Sequence, residues 1–213
     1  MNIFQYIVLS KKALWLLAGA ASGAASVGVM ALRWKSWGTI KIFGLEPSQG
    51  NAMFFPPGCI FGLTIAILLF FSAKIRSFWR SIILIGMSGI AHYVAFETAI
   101  RIADFLNYNG NYSLKLIPAG FLAGAIGAAI LGGSFFLLYP IEARWRFAIK
   151  IIGFGALFGT LLFFIFGVGG ETYGFIGYSL LYVPWQAAVA YCLSLFYAPV
   201  QENQTKLPLQ EQD

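Results

Sequence analysis

Residues 116–139, LIPAGFLAGAIGAAILGGSFFLLY, form an apolar run without a charged side chain. A helix needs about 20 such residues to cross the hydrocarbon layer of a bilayer, so this segment predicts a transmembrane helix. Gly120, Gly124, Ala128 and Gly132 recur every four residues within it. Small residues at this spacing share one helix face and let a neighbouring backbone approach closely. The run therefore predicts a membrane helix that packs tightly along this face.

The rest of the chain has the same apolar character. Of its 213 residues, 59% are hydrophobic and 10% are charged, whereas a soluble domain has about 25% charged residues. We expect an all-α, polytopic integral membrane protein with one six-helix domain over residues 1–200, no soluble domain, and a polar cytoplasmic tail over 201–213. Residues 2–10 are interpreted as an interfacial piece before the first span. The six predicted spans are residues 13–32, 55–73, 81–100, 116–139, 147–168 and 173–198.

The basic residues predict the surroundings and the orientation of the chain. The formal net charge is +6, but the Lys and Arg side chains lie in short groups between the apolar segments, as is typical of membrane flanks. We therefore expect contact with the lipid bilayer and no nucleic-acid partner. Nine Lys and Arg residues fall on the side that would hold both termini, and five on the other. The positive-inside rule then predicts a multi-pass protein of the cell (inner) membrane with cytoplasmic N- and C-termini.

Two pairs of similar segments suggest an internal repeat. Residues 17–26, LAGAASGAAS, resemble residues 122–131, LAGAIGAAIL, and GCIFG at 58–62 resembles GALFG at 155–159. The pairs occur in the same order, which is the pattern of an inverted repeat of two three-helix units. The alternative is that small-residue helices resemble one another by composition alone. In either case we expect further helix packing at Gly19, Gly23, Gly155 and Gly159.

Residues 88–105, SGIAHYVAFETAIRIADF, place ionisable groups in an apolar segment. Glu97 and Arg101 are four residues apart, the spacing at which opposite charges meet on a helix, and Tyr93 borders their face. They form either an ion pair near the end of the span or a substrate or ion site facing the bundle interior. The chain's only histidine, His92, lies on a different face. It is either a neutral imidazole bonded to a neighbouring helix or a ligand or proton-relay residue.

The last span combines aromatic and polar residues around a proline. Pro184 removes a backbone donor and predicts a kink, and Tyr182, Trp185 and Gln186 lie beside it. Aromatic side chains next to a kink would suit a pocket for a small organic ligand, whereas the alternative is ordinary helix packing. The candidate substrate-binding residues are therefore Glu97, Arg101, His92, Tyr93, Tyr182, Trp185 and Gln186.

Familiar catalytic and metal motifs are missing from the sequence. It contains no GxxxxGK[ST] phosphate loop, no HExxH and no GxSxG. Two cysteines, Cys59 and Cys192, are too few for a disulfide framework or a cysteine-type metal site. We therefore assign no catalytic residue, no metal and no cofactor, and expect a protein that is not an enzyme.

The number of spans and the small residues of the first span are similar to those of the small substrate-binding components of energy-coupling-factor transporters. That resemblance implies a protein that binds a small solute and draws energy from a partner. The predicted function is an integral membrane protein that binds or transports a small solute, alone or as the membrane subunit of a larger transporter. One alternative is a non-catalytic assembly subunit with a membrane-protein partner or a second copy of itself. The other is an intramembrane enzyme.

Overall fold

The computed structural model describes residues 3–33, 54–72, 75–106, 112–141, 143–163 and 174–197. These parts of the chain form six α-helices, which confirms the predicted all-α class. A short 3-10 turn, Thr160–Leu162, continues the fifth helix. The helices are α1 Ile3–Arg33, α2 Phe55–Ser72, α3 Phe78–Leu106, α4 Tyr112–Leu138, α5 Arg144–Gly159 and α6 Gly174–Tyr197.

Five helices are long and apolar enough to cross a membrane. They supply the segments Lys11–Met30, Phe78–Leu106, Lys115–Leu138, Arg144–Leu162 and Ile176–Tyr197. The sixth, α2, is equally apolar but has only 18 residues, which is about 27 Å of helix at 1.5 Å per residue. The chain is thus a multi-pass membrane protein in contact with lipid. A complete crossing by α2 stays a prediction.

Several helix ends differ from the predicted span ends. Residues 3–10 belong to α1 itself instead of forming a separate piece, because no glycine or proline interrupts the helix there. Helix α3 continues six residues beyond position 100, because a helix need not end where its apolar stretch ends. Helix α5 ends at Gly159, whereas the predicted span continued to residue 168. Residues 164–173 and the tail 201–213 lie outside the described residues.

The helices form a closed ring in chain order. Each packs against its neighbours in sequence, and the extensive contact between α6 and α1 closes the ring. Helix α6 is the most buried of the five long spans. Large apolar side chains on the outer faces of the helices are exposed in the isolated chain, for example Leu17, Phe71 and Leu137. In a membrane these faces contact lipid tails.

Glycines bring three pairs of helices into backbone contact: α4 with α5, α1 with α6, and α2 with α3, where Gly58 meets the backbone of Ser88 and Gly89. A Cβ atom placed on Gly124 would collide with the carbonyl oxygen of Gly155, and one on Gly120 would collide with that of Gly159. These contacts join α4 to α5, and Ala128 lies next to Gly155 in the same seam.

The second seam joins α1 to α6. A Cβ atom on Gly19 would lie 2.6 Å from the carbonyl oxygen of Gln186, and one on Gly23 would lie 2.6 Å from the Cα atom of Val183. Gly132, one turn beyond Ala128, faces the side chain of Ile151 instead of a backbone. All of these contacts are made within one chain.

Candidate ligand-binding cavity

His92 is held in the bundle interior by its own helix. Ser88 precedes it by four residues on α3, and His92 Nδ1 lies 3.0 Å from the Ser88 carbonyl oxygen. Because a carbonyl oxygen only accepts, Nδ1 donates this hydrogen bond, and Nε2 of the neutral ring carries a lone pair. The side chain is 4% exposed, and Nε2 has no partner among the described residues. The structure therefore presents a buried, vacant acceptor.

Aromatic rings of α6 lie next to this imidazole. Tyr182 and Trp185 are three residues apart and so share a helix face. The Trp185 ring meets the His92 ring edge-on with centroids 4.9 Å apart, and the Tyr182 ring lies parallel to it at 6.1 Å. Phe96, one turn after His92, lies 6.0 Å from the Tyr182 ring. The four rings form a continuous aromatic wall between α3 and α6.

A cavity of about 50 Å³ lies against this wall, between α3, α4, α5 and α6. Small residues form the opposite side, and space remains there because glycine and alanine extend little or nothing beyond the backbone. Gly120, Gly124 and Gly159 thus have two roles, since they also form the seam between α4 and α5. The lining residues are His92, Ala95, Phe96, Ala99, Gly120, Ala123, Gly124, Gly159, Leu162, Leu181, Tyr182 and Trp185.

Two of the polar groups around the cavity are unpaired. The Tyr182 hydroxyl, on a side chain 2% exposed, has no partner among the described residues, and neither has His92 Nε2. Trp185 differs, because its Nε1 donates to the Gly155 carbonyl oxygen at 3.3 Å. Buried polar groups are usually hydrogen-bonded in native proteins, but Trp15 Nε1, Ser88 Oγ and the Tyr197 hydroxyl also lack a partner among the described residues.

Gln186 does not line the cavity, although the sequence pattern grouped it with Trp185. Its Oε1 accepts from the Ser22 hydroxyl at 2.6 Å, and its Nε2 donates to Ser26 Oγ at 3.1 Å. The Ser26 hydroxyl lies 2.9 Å from the Ser22 carbonyl oxygen and 3.3 Å from that of Pro57. This buried polar cluster ties α6 to α1 and reaches the start of α2.

Glu97, Arg101 and Tyr93 also lie away from the cavity. Arg101 Nε donates to Glu97 Oε1 at 2.8 Å, so the ion pair indicated by their spacing is present. The Arg101 side chain is 77% exposed and that of Glu97 only 19%. Tyr93 is buried on the same helix. The structure therefore separates the charged part of α3 from the part that faces the cavity.

Some lining residues escaped the sequence analysis. Ala95, Phe96 and Ala99 follow His92 by three, four and seven residues, so extending its helix face would have found them. Ala123, Leu162 and Leu181 carry no such signal, because apolar residues are everywhere in these spans.

The described parts of the chain contain no group of three or more His, Cys, Asp or Glu side chains able to hold a metal ion. Cys59 on α2 and Cys192 on α6 are free thiols.

No family model, curated protein or solved structure matches this chain. The geometry of the cavity therefore carries the functional proposal by itself.

Proposed function

We propose that this membrane protein binds a small solute in the cavity between α3 and α6, as a transport protein or as the membrane subunit of a larger transporter. One observation carries the proposal: an apolar cavity of about 50 Å³ lies in the helix bundle, and the side chains of His92, Tyr182 and Trp185 are among its lining residues. An apolar cavity with a few convergent polar groups is the usual form of a small-molecule site. Its position between four helices of the ring suits a solute that must be shielded in part from the bilayer.

The packing of the glycines favours solute binding over the assembly alternative. The glycine faces of α1, α4 and α5 are occupied by other helices of the same chain. A partner subunit would therefore have to use other surfaces. We propose a binding or transport protein instead of an enzyme, because His92 is the only histidine and its Nδ1 is already bonded to the Ser88 carbonyl.

The inverted repeat and the orientation stay predictions. In the ring, the glycines of α1 pack on α6 and those of α4 pack on α5, although an inverted repeat would pair α1 with α2 as it pairs α4 with α5. The packing thus lends the repeat no support. We propose cytoplasmic termini from the distribution of Lys and Arg alone.

Filling the cavity should abolish solute binding. Ala123 lines the cavity, so Ala123→Leu should occupy it. Ala129, on the exposed side of the same helix, provides the matched control Ala129→Leu. Purified protein would be heated with each of a panel of small uncharged solutes. A solute at about 100 times its Kd stabilises the native state by about 2.7 kcal/mol.

We expect at least one solute to raise the Tm of the unmodified protein and of Ala129→Leu, but not that of Ala123→Leu. A panel without effect, or equal shifts in both variants, would contradict binding in this cavity.

A further inference from the structure

The starts of α3 and α5 lie at the same end of the helix bundle. Ala103, near the end of α3, packs in one cluster with Leu116, near the start of α4, so these two helices run in opposite directions. The start of α3 is therefore beside the end of α4. The short connection 139–143 leads from there into α5, and the Phe147 ring in its first turn lies 5.3 Å from the Phe136 ring of α4.

Five exposed cations lie at this end, and we call them the basic rim. Two flank the start of α3 and three lie in the first two turns of α5: Arg76, Arg80, Arg144, Arg146 and Lys150. None of them forms an ion pair with another residue in the described parts of the chain. Because like charges repel, an anion next to these side chains would be attracted.

Aromatic rings of neighbouring helices position two cations of the basic rim. Arg76 Cζ lies 5.3 Å from the centre of the Phe70 ring on α2, and Lys150 Nζ lies 5.7 Å from that of the Phe196 ring on α6. A cation is attracted to the face of an aromatic ring at this distance. Both charged groups are thus held at the edge of the bundle while their side chains stay exposed.

Exposed tryptophans indicate that the basic rim lies at the depth of the lipid headgroups. Trp79 directly precedes Arg80 and is 72% exposed. Trp145 lies between Arg144 and Arg146 and is 82% exposed. Tryptophan is enriched at the membrane–water interface, because its ring is amphipathic. Cations beside such rings are level with lipid phosphates, which favours a lipid headgroup over a phosphate compound from solution.

The opposite end of α3 and α4 has no such excess of positive charge. There Arg101 is paired with Glu97, and Asp104 and Lys115 supply one further charge of each sign. The sequence assigns nine Lys and Arg residues to the end with the basic rim, against four acidic residues. Those four lie outside the described residues: Glu142, Glu202, Glu211 and Asp213.

We propose that the basic rim binds the headgroups of phospholipids that carry a net negative charge. Four of its five residues are arginines, whose planar guanidinium groups donate paired hydrogen bonds to phosphate oxygens. The indole rings of Trp79 and Trp145 contact the same lipids next to the headgroup. This surface lies outside the bundle, so its lipid binding is independent of solute binding in the cavity.

Native mass spectrometry tests the proposal by counting the lipids that the full-length protein retains. The protein would be released from micelles with equal amounts of phosphatidylglycerol and phosphatidylcholine of identical acyl chains, so that the two lipids differ in headgroup charge. We expect phosphatidylglycerol to be retained preferentially, by about fivefold for each basic side chain that contacts a headgroup.

Variants of single arginines test whether the basic rim causes this preference. Arg80→Gln on α3 and Arg144→Gln on α5 should each lower it by up to about fivefold, and Arg80→Lys should retain most of it because the charge is kept. Arg101→Gln is the matched control, since it removes an exposed arginine from the other end of α3 with the same change in net charge. Its preference should equal that of the unmodified protein.

Three results would overturn the proposal. One is equal retention of the two lipids by the unmodified protein. Another is the same loss of preference in Arg101→Gln as in Arg80→Gln and Arg144→Gln, because net charge alone would then explain it. The third concerns inorganic phosphate added to the protein in phosphatidylcholine micelles. If it raises the Tm more than sodium chloride of equal ionic strength does, the basic rim binds free phosphate instead of lipid.

Discussion

Three polar residues in the apolar bundle differ in how their side chains are hydrogen-bonded or paired. Gln186 has hydrogen bonds from both ends of its amide to serines of α1. Glu97 is paired with Arg101 within one helix. His92 has one ring nitrogen bonded and the other vacant. An unpaired buried group costs free energy, and of these three residues His92 is the one whose polar side chain is only half satisfied among the described residues.

The Glu97–Arg101 pair should act as a modest structural contact. Pairs of this spacing contribute about 0.3–0.5 kcal/mol, and the Arg101 side chain is largely exposed. We expect Glu97→Gln and Arg101→Gln each to lower the free energy of unfolding by up to about 1 kcal/mol, and the double variant to recover part of the loss. Unfolding of the purified protein in detergent would measure the coupling.

A distant cation provides the control for this cycle. Arg144 is exposed at the start of α5, so Glu97→Gln combined with Arg144→Gln should give additive losses. Additive losses for Glu97 and Arg101 as well would show that their contact does not contribute to stability.

At the level of the elements, the seam between α4 and α5 governs both stability and the cavity. Gly120 and Gly124 let the backbone of α5 approach that of α4, and the same residues line the cavity. In a bilayer, helix association depends on such close packing because lipid removes the usual hydrophobic driving force. The seam therefore determines how much space remains between these helices and α6.

A larger side chain in the seam should destabilise the protein. We expect Gly124→Leu to lower the free energy of unfolding by about 1–3 kcal/mol, the usual cost of overpacking, because its side chain would meet the Gly155 carbonyl. Gly133→Leu on the same helix is the matched control, since a Cβ atom there meets nothing within 4 Å. Thermal unfolding of both variants would measure the difference in stability. Equal stabilities would show that α4 and α5 can move apart at Gly124 without a loss of free energy of unfolding.

For the whole molecule, the closed ring of helices depends on whether α2 crosses the membrane. Helix α2 packs against both α1 and α3, but among the described helices its apolar stretch Phe55–Phe71 is the one that falls below the length of a full candidate span. If it crosses, successive helices alternate in direction and both termini lie on one side.

Cysteine labelling in intact cells tests this topology. Cys59→Ser and Cys192→Ala provide the background, with alanine chosen because Cys192 is fully buried. Cysteines replacing Ser48 and Asn111 should react with an impermeant maleimide, whereas those replacing Ser77 and Gln204 should not. Equal reactivity at Ser48 and Ser77 would mean that α2 does not cross. Labelling at Ser77 and Gln204 but not at Ser48 and Asn111 would reverse the orientation.

The sequence alone predicted the features that arise within single helices. Uninterrupted apolar runs indicated the five long spans and α2. A backbone N–H or C=O group in lipid needs a hydrogen-bond partner within its own segment, and a helix supplies one. The spacing of Glu97 and Arg101 predicted their contact, and the ladder from Gly120 to Gly132 predicted a small-residue face, because both follow from helix geometry. Helix ends were predicted less well, since α3 continues beyond its apolar stretch.

Only the tertiary structure decided which helix each face meets. Many spans here carry small residues, so nothing local predicts that Gly124 meets Gly155 while Gly23 meets Val183. Likewise, Gln186 finds Ser22, more than 160 positions away in the chain, and Tyr182 comes to lie beside His92. The cavity is the space left between four such helices. It depends on how their backbones pack, and so it could not be predicted from any one of them.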